Sequence, residues 1–119
     1  HIEGDGDQGR DFIHVEDCVQ ACLKAMMASP APGRVYNVAR GDLTTINQLY
    51  NMICELLEIK IRPVHIEPRP GDVRNSRADI SATIADLDFK PETEVMEGLQ
   101  QAIPWYRDYF SQRRGKRVT

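Results

Sequence analysis

The chain has 119 residues, 41% of them hydrophobic and 28% charged, with a formal net charge of −3. That length suits one domain rather than two full lobes, and no apolar run approaches the length of a membrane span. Four cations, Arg113, Arg114, Lys116 and Arg117, crowd the C-terminal end, so residues 1–112 alone carry −7 and lack the basic face that nucleic-acid binding needs.

Near the N-terminus "RDFIHVED", residues 10–17, reads as a strand delivering a helix. Phe12, Ile13 and Val15 suit a pleated, half-buried surface, and Asp17 reads as the helix start. Cys18, Cys22, Ala25 and Met26 then recur on one helical face. "SPAPG", residues 29–33, stops that helix, and "RVYNV", residues 34–38, alternates as a strand would. Thr44 or Thr45 can cap the clearest helix of the sequence, with its stripe of Ile46, Leu49, Ile53, Leu56 and Leu57. A short strand over residues 62–67 follows, its Pro63 pointing to an edge or a strand start. Residues 68–79, "PRPGDVRNSRAD", hold too many Pro, Gly and polar residues for a regular element. Asp79 can cap a helix carrying Ile80, Ile84 and Leu87, and Thr93 one carrying Met96, Leu99, Ile103, Tyr106 and Phe110. Pro104 inside that last stripe predicts a kink or a broken start.

No basic-then-apolar leader opens the sequence, and three cysteines do not make a disulfide framework. The expectation is a cytoplasmic chain with reduced thiols, used in buried packing rather than in a metal site. The basic run at 113–119 reads as a solvated, poorly ordered tail.

Residues 68–79 concentrate Arg69, Arg74 and Arg77 with Asp72 and Asp79 in an otherwise acidic domain. Proline stiffens the approach and Gly71 permits a tight turn, so Arg69 is presented at low ordering cost. A guanidinium fork suits a pair of phosphate oxygens, and a nearby carboxylate suits sugar hydroxyls. Composition alone favours charges that pair among themselves. Arg10 alters that balance only if the fold brings it to this loop.

Four stretches, "GDGDQGRDFIHVEDCVQA", "GRVYNVARG", "EPRPGDVRNSRADIS" and "GLQQAIPWY", resemble the C-terminal part of the NAD-dependent epimerase/dehydratase family, the extended short-chain dehydrogenases. The resemblance runs from about Ile2 to Tyr109. "RPGDVRNSRADIS" is most similar to the UDP-sugar 4-epimerases, with the nucleotide-sugar dehydratases as second choice. It implies a small mixed α/β domain of about four helices and a few short strands, the substrate-binding part of the fold without its dinucleotide-binding lobe, over residues 1–112. It also implies that Arg10 and Arg69 contact the diphosphate of a UDP-sugar from two sides, that Asp72 reaches the ribose, and that Asn37 is structural. His14 is given no chemistry.

The family's reaction, transient oxidation of the sugar at C4 by bound NAD, needs a glycine-rich turn between strand and helix and a Tyr-x-x-x-Lys pair. "GDGDQG" has the wrong spacing, and Tyr36, Tyr50, Tyr106 and Tyr109 are followed four places on by Arg, Cys, Phe and Arg. The expectation is therefore a portion of a longer epimerase, inactive alone, with no catalytic, NAD or metal residues of its own. The first helix and "VYNV" would normally pack on the missing lobe, so the isolated chain would hide that surface by self-association. A free-standing nucleotide-sugar-binding module and a folded domain without ligand are the competing readings.

Overall fold

The computed structural model describes residues 1–115. In chain order the elements are β1 (Ile2–Glu3), β2 (Gly9–Arg10), α1 (Val15–Met27), β3 (Thr44–Thr45), α2 (Ile46–Leu57), β4 (His65–Ile66), β5 (Asn75–Ser76), α3 (Ser81–Leu87) and α4 (Val95–Gly115). This is the small mixed α/β arrangement expected, with extents of 54 × 35 × 25 Å.

The five strands are two residues each and form two small sheets. β1 pairs with β4 in parallel. β2 lies between β3, to which it runs antiparallel, and β5, to which it runs parallel with Gly9 opposite Asn75 and Arg10 opposite Ser76. Sequence reasoning placed no strand in residues 68–79, and β5 corrects that. Only backbone pairing, not side-chain pattern, marks Asn75 and Ser76 as strand, because both are polar and exposed.

α2 is the best specified helix. Thr45 accepts from the Gln48 backbone N–H and Gln48 returns a bond to the Thr45 N–H, a closed capping box, while Glu58 ends the helix in the left-handed region at φ 55°. Its apolar stripe packs against α4. Asp79 takes the Ser81 N–H and hydroxyl at the start of α3, as expected.

Three segments depart from the sequence reading: residues 10–17, residues 34–38 and α4. The predicted strand over 10–15 narrows to Gly9–Arg10, and α1 begins at Val15 rather than at Asp17. Asp11 bends the chain off the sheet, because its carboxylate accepts the backbone N–H groups of Arg40, Gly41 and Ala78. Asp17, only 4% exposed, accepts the N–H groups of Glu92 and Thr93 and so fixes the approach to α4 instead of capping α1. Residues 34–38 form no strand and pair with none among the described residues, since nothing here offers them an edge. Asn37 is a structural tie, donating to the Asp79 carbonyl at 3.1 Å. α4 continues past Pro104 and starts at Val95, two residues beyond the expected cap Thr93. It runs through Gly115, so the boundary expected at 112/113 falls inside a helix, and residues 116–119 of the basic tail lie outside the described residues.

The core lies between α1, α3 and the segment after α3. Ala21, Ala31, Leu87 and Phe89 are buried, with Ile13, Ala25, Tyr36 and Val38 packed on them. Thr83 is fully buried and donates to the Asn37 carbonyl. The helical face predicted for α1 holds only in part, since Cys18 is half-buried and Ala25 packs on the core. Asp17 and Ala21 point inward, whereas Cys22 is exposed and Met26 is 80% exposed. Cys18 and Cys54 are half-buried, and burial pushes the Cys18 thiol up. Among the described residues no group of His, Cys, Asp and Glu could hold a metal ion, and no helix is long and apolar enough to cross a membrane.

Candidate functional site

β2 presents Arg10 on the middle strand of the three-stranded sheet, and β5 delivers the Pro68–Asp79 loop to the same edge. The consequence is a direct meeting. Arg10 Nη1 donates to the carbonyls of Gly9 and Val73 at 2.8 Å, and Nη2 lies 2.5 Å from Asp72 Oδ1. A guanidinium with donors at fixed angles can serve a carbonyl and a carboxylate together, so Arg10 holds the loop and is held by it.

Arg69 is placed differently. Its Nη2 lies 3.2 Å from Glu3 Oε1 at the end of β1, and its side chain is 69% exposed. Arg69 and Asp72 share the rim of a hollow of about 220 Å³ with Glu3, Asp5, Gln8, Gly71 and Arg74. Arg10 reaches Asp72 but does not line that hollow. Of the three residues singled out from the sequence, the fold thus brings Asp72 to both arginines' neighbourhood, while Arg10 and Arg69 each carry their own acidic partner.

The acids are what sequence reasoning missed. Arg74 donates twice to Asp5, at 2.7 Å to each oxygen, and approaches Asp7 at 3.8 Å. The Arg74 guanidinium holds the Asp5 carboxyl below the usual carboxylate range. Glu3, Asp5 and Asp7 stand in the "IEGDGDQG" stretch, where the glycines drew attention to a turn and away from the acids beside them. Arg40 was also unassigned. It ties α4 to the body through the Thr93 carbonyl at 2.8 Å and Glu94 at 2.5 Å.

The Gly4–Gly9 stretch joins β1 to β2 and leads into a strand rather than a helix. It offers no helix N-terminus to the pyrophosphate of a dinucleotide, so this stretch does not fit NAD.

Comparisons with known proteins bear on the chain as a whole. The family model described as NAD dependent epimerase/dehydratase family matches residues 1–39. UDP-glucuronate 4-epimerase 2 of Arabidopsis thaliana is 30% identical over 95% of this chain and 29% of its own length. UDP-N-acetylglucosamine 4-epimerase of Methanobrevibacter ruminantium, in complex with UDP-N-acetylmuramic acid, superposes with a TM-score of 0.83 at 36% identity, over 91% of this chain and 34% of that one. UDP-glucuronic acid 4-epimerase of Bacillus cereus, in complex with UDP-glucuronic acid and NAD, gives a TM-score of 0.77 at 26% identity, over 83% and 32%. The chain spans about a third of the length of the relatives it matches. Family model, sequence and fold agree in one likeness: the chain is similar to part of the UDP-sugar 4-epimerases, and its first third matches the NAD-dependent epimerase/dehydratase family.

Proposed function

We propose that this chain is the nucleotide-sugar-binding portion of an NAD-dependent UDP-sugar 4-epimerase, in which Arg10 and Arg69 grip the diphosphate and Asp72 reaches the ribose. The observation that supports it best is the pairing of β2 with β5, which sets Arg10 against the loop that carries Arg69 and Asp72. In the ligand-free chain Asp72 occupies Arg10 and Glu3 occupies Arg69. A diphosphate oxygen is a better partner for either fork than a solvated carboxylate, since it brings more charge and several acceptors to one place. Its arrival releases Asp72, whose carboxylate is then free to accept from ribose hydroxyls. The parent enzyme would interconvert C4 epimers with bound NAD, and this chain's part in that is to bind and orient the substrate.

Titration with UDP tests the reading. Saturable binding is expected, weakened roughly tenfold or more by Arg10→Ala and by Arg69→Ala, as suits the loss of a charge-assisted phosphate contact. If both variants bound UDP as the unmodified chain does, the assignment of the two arginines would fall.

The reading also accounts for the bare side of α1. Val15, Val19, Leu23, Met26 and Met27 are exposed, and Val35 on the unpaired segment is 94% exposed. The remainder of a full-length epimerase would cover these residues, and the isolated chain, which we place in the cytoplasm, would cover them by self-association. A strictly monomeric sedimentation profile at high concentration would count against that.

A further inference from the structure

Arg74 belongs neither to the core nor to the proposed diphosphate grip, yet its Nη1 lies 2.7 Å from both carboxylate oxygens of Asp5. Asp5 is not free to follow a moving loop. Asn47, in the first turn of α2, donates through Nδ2 to the Asp5 carbonyl and to Asp7 Oδ1, both at 2.9 Å, and its backbone N–H donates to the Gly6 carbonyl at 2.9 Å. Gly6, at φ 79°, passes so close that a Cβ there would fall 2.2 Å from Asn47 Oδ1. On the other side, the Arg74 carbonyl accepts the Gly9 N–H at 2.8 Å, one residue before Arg10. A continuous set of bonds therefore runs from α2 through the β1–β2 turn and Arg74 to the strand that carries Arg10.

Residues 67–77 are all exposed, so apolar burial adds little to their hold. Polar ties keep the loop in place: Arg10 to Asp72 and Val73, Glu3 to Arg69, the backbone pairing of β5, and Asp5 to Arg74. If a diphosphate engages Arg10 and Arg69 as proposed above, their bonds to Asp72 and Glu3 lapse when the loop must stay still. The Asp5–Arg74 pair lies on the rim of the same hollow but is not one of the bonds that the diphosphate replaces, so it persists. We propose that Arg74 is a positioning residue, latched by Asp5 and backed by Asn47, that keeps the 68–76 loop on the sheet once Arg10 and Arg69 have passed to the ligand. This rests on the nucleotide reading for its ligand half only.

The test combines UDP titration with hydrogen exchange at the Gly9 amide, using the whole 119-residue chain. Asp5→Asn and Arg74→Ala should each weaken UDP binding roughly fivefold, the scale of a well-formed surface pair, and speed Gly9 exchange in the ligand-free chain. The charge-swapped double variant, Asp5→Arg with Arg74→Asp, should recover affinity to within about twofold and restore slow exchange. Single variants that weaken binding with no recovery in the swap would overturn the proposal, because Arg74 would then be touching the ligand itself. Single variants that change neither quantity would overturn it as well. Failure of the unmodified chain to bind UDP would overturn the nucleotide reading. Gly9 exchange would then still decide the latch, supporting it if the single variants exchange faster and overturning it if they do not.

Discussion

Asp17 and Asp72 are alike as side chains and opposite in use. Asp17 is buried, and its partners are the backbone amides of Glu92 and Thr93, two part-buried bonds to the segment that leads into α4. Asp72 lies on an exposed loop with the guanidinium of Arg10 as partner, where water can replace either partner and another anion can replace the carboxylate. Asp11 sides with Asp17, gathering amides from three residues; Glu3 and Asp5 side with Asp72, each on an arginine. The lesson is that solvent decides what a carboxylate does here. Where desolvation makes an unpaired amide costly, the acid fixes the fold; where water competes, it keeps a cation in place for an exchangeable partner.

Breaking the interior side should cost most. Phe89→Ala is expected to destabilise by about 3–5 kcal/mol in denaturant unfolding, since the ring is the largest fully buried side chain. Asp17→Ala should follow at about 2–4 kcal/mol by leaving two amides without an acceptor, and Asp17→Asn should cost less because one oxygen remains. If Asp17→Ala proved as mild as a surface substitution, the contrast between the two sets of acids would collapse.

On the exposed side stability should hardly move while binding does. Arg10→Ala is expected to shift unfolding by no more than about 1 kcal/mol. Asp72→Asn sharpens the point further. Removing the resident competitor of Arg10 should tighten inorganic pyrophosphate binding by roughly twofold to fivefold, while UDP gains less because its ribose loses a partner. Equal gains for both ligands would remove Asp72 from the ribose.

The smallest effect concerns pH. The Arg74 guanidinium holds Asp5 below the usual carboxylate range, Ser81 does the same for Asp79, and the Tyr36 hydroxyl, then Arg34, for Asp86. A carboxyl with its proton affinity lowered in the folded chain adds stability above the ordinary carboxylate pKa and loses it as pH falls through the lowered value. The melting temperature should therefore hold steady down to the ordinary carboxylate range and fall below it. The Asp5→Asn chain should fall slightly less, and a melting curve indifferent to acid would contradict these three assignments.

How much of this was legible in the sequence varies by element. α2 was, because an apolar stripe at helical spacing and a Thr-x-x-Gln box lie within a few residues of one another. The 10–17 stretch was not: its apolar residues suit a strand, but Asp11 is drawn to Arg40, Gly41 and Ala78, which turns the chain away after Arg10. Residues 34–38 have the pattern of a strand and lack a neighbour among the described residues, and no local pattern reveals a missing neighbour.

The sequence by itself determined the local features: α2 and its cap, the Asp79 start of α3, the turn at residues 4–9, the irregular approach to residue 74, and the family that these motifs resemble. Each depends on contacts reached within one or two turns of chain. Tertiary structure alone decided which acid met an amide and which met a cation. Arg10 and Asp72 are 62 residues apart, and their meeting required β5 to dock beside β2 in register. Such pairings follow from loop closure and burial over the whole chain, which no short window of sequence contains.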